Sequence, residues 1–324
     1  MEAQRLILQW AEDGLIPAEQ VTEALAVAGV TPTTQDWKRF LDRLLLWSGT
    51  TFLAVGIIFF IASNWNALGR YLKFGLVEVL IGAALFAYWR VGSERAAGKA
   101  ALLFATLLLG ALLALFGQTY QSGADTWELF ATWAALIFPW VLVSRLPALW
   151  MVWLGLLNLA IGLYLYTFPS LLGFMFDDNT HLLWVLFTVN TTGLVLWEIA
   201  ARRLAWLNER WAVRLLAAIS GGLITSFVVF ALFDNNESVS AFVIYLVWLL
   251  SGYAVYRHLR VDLFMLTVGC VSIIVSLTIF FATKIFTFAS IFSPFLIAFF
   301  VIGISAAAAM WLRSIATDTR EEPT

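Results

Sequence analysis

Long apolar runs recur along the chain from Leu41 almost to its last residues, and short polar stretches separate them. Each run is close to the roughly 20 residues that a helix needs to cross the hydrocarbon core of a membrane. The segment 101–117 is apolar on every side, whereas a strand of a transmembrane barrel alternates apolar and polar positions. The pattern therefore predicts an all-α, polytopic bundle of transmembrane helices and excludes a barrel.

About ten of these runs have the length of a membrane span. We divide them into a first half of five spans, residues 41–168, and a second half of five spans, residues 169–313. The polar residues 314–324 are predicted to form a disordered C-terminal tail. The predicted spans are residues 41–63, 71–89, 100–117, 128–144, 149–168, 182–200, 215–233, 239–256, 263–283 and 294–312.

Pairs of glycines seven residues apart occur in four of the first five predicted spans. Seven residues make about two helical turns, so both glycines of a pair lie on one face where a neighbouring backbone can approach closely. The first half is therefore predicted to be a glycine-packed unit. The pairs are Gly49 with Gly56, Gly75 with Gly82, Gly110 with Gly117, and Gly155 with Gly162.

The first 40 residues are charged and amphipathic, and they lack the short apolar segment of a cleaved signal peptide. An apolar face that includes Trp10 predicts a helix ending at Gly14. A second predicted helix begins near Pro17 and ends at Gly29. Residues 1–40 are thus predicted to form a small helical hairpin, which serves either as a docking or oligomerisation module or only as a soluble cap.

The positions of Lys and Arg predict the orientation of the chain. If the N-terminus is cytoplasmic, all but three of the 19 Lys and Arg residues fall on cytoplasmic segments. The exceptions are Arg70, Lys73 and Lys284. Such an asymmetry is the signature of the positive-inside rule, so both termini are expected in the cytoplasm.

The composition of the chain argues against several classes of function. Hydrophobic residues make up 62% of the chain and charged residues 12%, with a mean hydropathy of +0.88, whereas soluble domains carry roughly 25% charged residues. A net charge of −2 without a basic block argues against a nucleic-acid partner. The lone Cys270 permits no intrachain disulfide, and His181 and His258 are expected on opposite sides of the membrane. With no nucleotide, zinc or nucleophile motif in the sequence, we predict no enzyme, no cofactor and no metal site.

Two polar and aromatic stretches follow the first and third predicted spans. We call residues 63–70 the first island and residues 117–128 the second island. The second island contains no Lys or Arg, so it could receive a cation, a sugar-like head group or the basic loop of a partner; an ordinary wet loop is the simpler interpretation. The island candidates are Asn64, Asn66, Gln118, Tyr120, Gln121 and Asp125.

Glu78 is the most informative single residue within a predicted span. It lies three residues after Gly75 and four before Gly82, so we expect it to face packed helices and not lipid. One interpretation is a proton or cation site open toward the islands, and the other is a hydrogen-bonded strut between helices. Asn158 has the same position between two glycines, and a structural role is its simpler interpretation.

Two further polar residues in the second half are interpreted structurally. Asn190 is expected to form hydrogen bonds across neighbouring helices. Glu198 lies beside the predicted inner boundary of the membrane, and we expect it to be solvated.

Three segments resemble a family of bacterial membrane proteins known as domain of unknown function 2157. They are Ile61-Ala62-Ser63-Asn64-Trp65-Asn66, the stretch from Gly117 to Asp125, and Glu12-Asp13-Gly14-Leu15-Ile16. The resemblance covers residues 1 to about 145 and implies a bacterial inner-membrane protein whose signature residues include both islands. Because the family has no established activity, it implies no catalytic residues.

These observations predict an integral protein of the bacterial inner membrane, in contact with the lipid bilayer. The favoured hypothesis is a transporter-like or small-solute-binding protein, with a polar cavity for a solute or cation open to the extracytoplasmic side. Glu78, Asn158 and the island residues would line that cavity. The alternative is a non-transporting assembly subunit or envelope sensor that binds a membrane-protein partner through its extracytoplasmic loops.

Overall fold

The structure is a computed structural model of the 324-residue chain, and it describes residues 2–63, 68–121, 123–168, 181–233, 239–286 and 292–321. The fold is 88% helical, and no strand occurs in these ranges. The α-helices are α1 (Glu2–Glu12), α2 (Val21–Val27), α3 (Thr34–Ser63), α4 (Arg70–Val91), α5 (Ala96–Tyr120), α6 (Thr126–Ser144), α7 (Pro147–Thr167), α8 (His181–Ala201), α9 (Arg210–Phe233), α10 (Val239–Ala254), α11 (Leu263–Phe286) and α12 (Ser293–Glu321).

The helices α3 to α12 are the ten that have the length and apolar composition of a membrane span. A π-helical turn, Val255–Leu259, extends α10 to spanning length. The predicted all-α fold with ten spans is therefore confirmed. The chain is an integral membrane protein, and the exposed apolar faces of these helices contact the lipid bilayer.

The N-terminal hairpin forms as the sequence predicts. Helix α1 ends at Gly14, whose φ of +73° is the left-handed conformation that glycine adopts without strain. The N–H of Leu15 then donates to the carbonyl oxygen of Trp10 over 2.8 Å, which caps the helix. Gly29, with a φ of +68°, follows the end of α2 in the same conformation. Local backbone chemistry thus fixes both helix ends of the hairpin.

Two compact units make up the chain, Met1–Gly123 and Ala124–Thr324. We call them unit 1, which contains α1 to α5, and unit 2, which contains α6 to α12. The boundary lies at Gly123 and does not coincide with residue 168, so the division into halves of five spans stays a prediction. Helix α12 continues to Glu321, so residues 314–321, which were expected to be disordered, are helical.

In unit 1, α5 packs against α3 and α4. Ile61, Val77 and Leu108, one from each of these three helices, form a buried apolar cluster. The packing of this unit is therefore built on an apolar seam along α5.

Helix α9 is the core of unit 2. Half of its most apolar window, 50%, is buried, whereas the other spans of unit 2 reach at most 22%. It packs against α8, α10 and α11. Polar side chains on its inner faces therefore have to find partners on these three helices.

Four of the eight paired glycines do not lie at a close approach of helices, whereas Gly110 of α5 is buried. Gly49, Gly56, Gly82 and Gly155 are exposed, and a Cβ added at any of them would meet no neighbouring atom within 4 Å. Close approach occurs at Gly221 of α9, where an added Cβ would lie 2.9 Å from side chains of α10 and α11. Spacing alone therefore does not indicate which glycines are crowded, and the glycine-packed first half stays a prediction.

Candidate functional site

Glu78 is exposed on α4 and does not face the packed interior of unit 1. Helix α4 turns Lys73, Val77 and Ala84 inward, and residue 78 lies about 100° around the helix from residue 77. The carboxylate of Glu78 makes no hydrogen bond or ion pair with any described residue. The inward orientation expected from the glycine spacing is therefore wrong.

The described candidates of the islands are exposed as well. Gln118 and Gln121 lie at the end of α5, where Gln121 takes a left-handed φ of +45° and ends the helix. Asp125 is exposed directly before α6, in unit 2. Asn64 and Asn66 lie outside the described residues.

Tyr120 joins the second island to one end of the first. Its ring lies 4.8 Å from the ring of Phe116 and 6.0 Å from that of Phe74. The guanidinium of Arg70, the last residue of the first island, lies 5.9 Å from the centre of the Tyr120 ring. A cation over an aromatic face is attracted by the ring quadrupole. Unit 1 thus brings together one described residue from each island.

Asn158 and Asn190 form an amide pair between α7 and α8. The side-chain N–H of Asn190 donates to the Oδ1 of Asn158 over 2.5 Å, and Asn158 donates in return to Asn190 over 3.3 Å. Each also donates to a backbone carbonyl of its own helix, Leu154 or Leu186. Asn190 is almost fully buried. The expected cross-helix hydrogen bonding of Asn190 is confirmed, and Asn158 is its partner.

Hydroxyl groups continue this polar interior between α8 and α11. The hydroxyl oxygens of Thr191 and Ser220 are 2.6 Å apart, and the indole N–H of Trp248 donates to Ser220 over 3.1 Å. One turn further along α9, the hydroxyls of Thr225 and Ser272 are also 2.6 Å apart. Because lipid offers polar groups no partners, such bonds specify how the helices of unit 2 pack.

Glu198 is not the solvated end that the sequence suggested. It is partly buried in an ionic cluster where α8 ends and α9 begins, and its side chain is 14% exposed. Its Oε1 accepts hydrogen bonds from Arg210, over 2.9 Å, and from the Tyr256 hydroxyl, over 3.1 Å. Its Oε2 accepts from Arg260 over 2.9 Å. Three donors therefore hold this carboxylate.

Asp262 forms the other anionic half of the ionic cluster. It precedes α11, its side chain is 4% exposed, and it accepts hydrogen bonds from Arg210 over 3.0 Å and Arg214 over 3.2 Å. Burial alone would raise the pKa of Asp262, but the hydrogen bonds and charges of the two guanidiniums outweigh burial and lower it. The carboxylate is thus held ionised.

A cavity in unit 2 borders this ionic cluster. Its volume is about 710 Å³, and α8 to α12 contribute to its walls. Most of the lining is apolar and includes Leu246 and Ile273. The charged lining residues are Glu198, in the last turn of α8, and Arg202, directly after α8. The cavity is therefore amphipathic, with its charge where α8 ends.

The α8 wall of the cavity has the spacing of one helical face. Arg202 follows Glu198 by four residues, directly after the end of α8, and its side chain is exposed. It forms no ion pair with a described residue. The α8 residues that line the cavity are Thr191, Leu194, Val195, Glu198 and Ile199.

Cys270 also lines this cavity, from α11, and it is partly buried. It is the only cysteine of the chain. No group of three or more potential metal ligands occurs in the part of the chain that the structure describes. The cavity therefore offers a single thiol as a reporter.

Reasoning from the sequence missed the cavity and the ionic cluster. The charged residues at the span ends served only to predict orientation, and their mutual pairing was not considered. A usable signal was present, since Glu198 and Asp262 stand at the ends of apolar runs near several arginines. Opposite charges at one end of a bundle favour pairing.

Residues 8–150 match the model of a family described as "Predicted membrane protein (DUF2157)". This match confirms the resemblance found from the islands and the hairpin. It covers both islands and ends within α7, so the cavity and the ionic cluster lie outside it. No curated protein and no solved structure matches the chain.

Proposed function

We propose that this chain is a small-solute-binding membrane protein whose ligand is amphipathic and occupies the cavity of unit 2. The observation that carries the proposal is the cavity itself. A volume of about 710 Å³ falls within the roughly 300–1,000 Å³ of small-molecule sites. Apolar walls with a few polar groups at one end are the usual character of such sites.

The shape of the lining favours an elongated ligand. From Thr191 to Arg202 the α8 wall extends for 11 residues, or about 16 Å at the rise of an α-helix. The apolar part of a ligand gains free energy by leaving water, while its polar end needs partners that apolar walls do not offer. Arg202, which forms no ion pair with a described residue, supplies such a partner where α8 ends.

This proposal keeps the class of function that the sequence favoured and changes its site. The polar outer cavity lined by Glu78, Asn158 and the islands is replaced as the ligand site by the cavity beside the ionic cluster. Asn158 is engaged in the amide pair, and Glu78 is exposed.

We also propose the bacterial inner membrane as its location, with both termini in the cytoplasm, because Lys and Arg strongly favour that side. The charged end of the cavity then faces the cytoplasm. Reporter fusions are expected to read cytoplasmic at Arg95 and Glu209 and extracytoplasmic at Asp125. Reversal of two of these three readings would overturn the orientation.

The ligand proposal is tested through the thiol of Cys270. The full chain, purified in detergent, is treated with a maleimide in the presence and absence of a long-chain amphiphile. Because Cys270 lines the cavity, an occupying amphiphile is expected to slow its labelling about tenfold or more, corresponding to ligand concentrations of at least ten times Kd. A Cys270→Ala variant gives the background.

A cavity-filling variant provides the matched control. A Cβ at Gly252, a lining residue, would meet no atom within 4 Å, so Gly252→Phe fills the cavity without overpacking its backbone. It should abolish protection by the amphiphile. The same substitution at Gly222, which is exposed and outside the lining, should leave protection intact. A reactive Cys270 that no amphiphile protects would overturn the proposal.

A second candidate function is binding of a membrane-protein partner through unit 1. The observation that favours it is the exposure of Glu78 within a span, because an exposed carboxylate in hydrocarbon costs roughly 2.5–3.5 kcal/mol unless it is covered. Photo-crosslinking from position 79, next to Glu78, tests it. A stoichiometric adduct from that position, and none from Phe230 of unit 2, would favour this candidate.

A further inference from the structure

We infer that the ligand of this cavity is a bilayer lipid with an anionic phosphate head group, and that Arg202 binds the phosphate. This inference rests on the proposed function and adds the chemical class of the ligand. It depends on the balance of charge at the polar end of the cavity.

The negative charge at this end is already satisfied by protein groups. Glu198 accepts hydrogen bonds from Arg210, Arg260 and Tyr256, which use both of its carboxylate oxygens. Asp262 is paired with Arg210 and Arg214. A cationic head group would have to displace these donors, so the ionic cluster disfavours a cation.

The positive charge is in excess. Within the cluster, the three guanidiniums of Arg210, Arg214 and Arg260 face two carboxylates. Arg202 adds a fourth positive charge in the lining itself, and it forms no ion pair with any residue in the described ranges. The polar end of the cavity therefore has a net positive charge that an anion complements.

Arg202 has the chemistry and the position to hold that anion. A guanidinium presents a planar fork of N–H donors that matches two oxygens of a phosphate. Arg202 stands directly after the C-terminus of α8, where the helix carbonyls disfavour an anion. Anion binding at this place therefore requires the guanidinium of Arg202 to outweigh the helix carbonyls.

The walls favour a lipid over a free phosphate. A free anion would contact only the charged end and would gain nothing from the apolar lining around Leu246, Leu249 and Ile273. A lipid places its head group at Arg202 and an acyl chain along those walls. Unlike a soluble amphiphile, it is also present at high concentration around every span of the protein.

The experiment compares two lipids with the same acyl chains and a phosphate in each head group, of which one is zwitterionic and the other carries a net negative charge. The full chain is reconstituted into nanodiscs that contain phosphatidylcholine with an increasing fraction of phosphatidylglycerol of the same acyl chains. Lipids that stay bound are counted by native mass spectrometry, and Cys270 labelling is measured in parallel. We expect phosphatidylglycerol to be enriched about tenfold over its bulk fraction, as a charge-assisted hydrogen bond allows. High salt should weaken this preference.

Variants of Arg202 test whether this residue binds the phosphate of the lipid. Arg202→Gln should lose the preference for the anionic lipid but retain a protected Cys270, and Arg202→Lys should restore part of the preference. Arg203, exposed and outside the lining, is the matched control, and Arg203→Gln should behave as wild type. Both positions are exposed, so these variants are expected to fold.

The outcomes separate this inference from the proposed function. Equal retention of both lipids, with Cys270 protected, would overturn the anionic head group and leave the binding function standing. An unchanged preference in Arg202→Gln would overturn the assignment of Arg202. If neither lipid is retained and Cys270 is not protected, both the inference and the proposed function fail.

Discussion

The two units differ in where most of their polar side chains lie, although unit 1 also buries Lys73 and Thr106. In unit 1 the described polar candidates, Glu78, Gln118 and Gln121, are exposed, and α3, α4 and α5 meet through an apolar seam. In unit 2 polar groups lie between the helices, as the Asn158–Asn190 pair and the ionic cluster illustrate. Helices of the same chain thus pack in two ways, through an apolar seam in unit 1 and through polar bonds in unit 2.

This difference teaches where specificity arises in a membrane protein. Lipid chains are as apolar as Leu, so apolar side chains alone do not drive helices together, and polar bonds and close packing have to specify the arrangement. Unit 2 has both, in its hydrogen bonds and at Gly221. We therefore expect substitutions inside unit 2 to cost more stability than those at the candidates of unit 1.

The largest expected effect is at Asp262. Asp262→Asn removes the charge that two arginines share, and we expect a loss of about 2–3 kcal/mol in the free energy of unfolding. That is less than the 3–5 kcal/mol of a fully buried pair because Arg214 is 43% exposed. Unfolding in detergent micelles measures it. The control is Asp318→Asn, because Asp318 pairs with Arg257 but is 60% exposed, and that variant should lose at most about 1 kcal/mol.

The carboxylate of Asp262 also makes the stability of the folded protein depend on pH. Because the folded protein lowers the pKa of Asp262 from its ordinary 3.8, the contribution is fully present above that value. It is lost as the pH falls through the lower pKa of the folded state, where protonation breaks the pairs. Wild type should therefore lose more stability than Asp262→Asn in this acid range. If wild type and Asp262→Asn lost the same amount of stability as the pH falls, the pairing of Asp262 with the two arginines would be contradicted.

The next effect is at Gly221. A Cβ there would lie 2.9 Å from Trp248 and from Val268, so Gly221→Ala should overpack the helices and cost about 1–3 kcal/mol. The adjacent Gly222 has no atom within 4 Å of an added Cβ. Gly222→Ala should be neutral or slightly stabilising, since alanine favours a helix. Thermal unfolding of the two variants compares them directly, and equal losses would argue against close packing at Gly221.

The spans and the hairpin were predictable because their causes are local. Hydropathy over about 20 residues predicted a span over residues 182–200, and α8 is His181–Ala201. The helix ends at Gly14 and Gly29 follow from the conformational freedom of glycine. Each of these features depends on residues that are neighbours in the sequence.

The site was not predictable because its causes are tertiary. Asp262 pairs with residues 52 and 48 positions away, and no local pattern indicates which arginines those are. Two glycines that lie seven residues apart identify one face of a helix. They do not identify the neighbouring helix that covers this face. Gly221 has no glycine seven residues away on either side, yet its face is the crowded one. Glu78 was misread for the same reason.

A smaller effect is expected at the amide pair of unit 2. Asn158→Leu and Asn190→Leu each remove one side of the pair, and the double variant completes a thermodynamic cycle. Hydrogen bonds between membrane helices average about 0.6 kcal/mol and reach about 1.7, so we expect a coupling energy in that range. Reversible unfolding of the four proteins measures it. A coupling near zero would mean that the backbone carbonyls at Leu154 and Leu186 satisfy each amide alone.

The smallest effect is expected at Glu78, and it is informative because Glu198 is its counterpart in unit 2. Both are glutamates within apolar spans, but Glu78 is exposed and makes no ion pair with a described residue, whereas Glu198 accepts three hydrogen bonds. Glu78→Gln should therefore change the free energy of unfolding in detergent by less than about 0.5 kcal/mol. Glu198→Gln removes the charge that balances Arg210 and Arg260 and should cost several times more.

The same pair of variants distinguishes two roles of Glu78, a structural strut within the protein and part of a contact site for a partner. Because Glu78 makes no ion pair with a described residue, a small effect in detergent is expected even if a partner covers it in the membrane. Repeating the measurement in nanodiscs tests the second candidate function, since an uncovered carboxylate in lipid is costly and its removal would then stabilise the protein. A large loss of stability in detergent, comparable to that of Glu198→Gln, would instead mean that Glu78 is a buried strut after all and that the contrast between the two units is false.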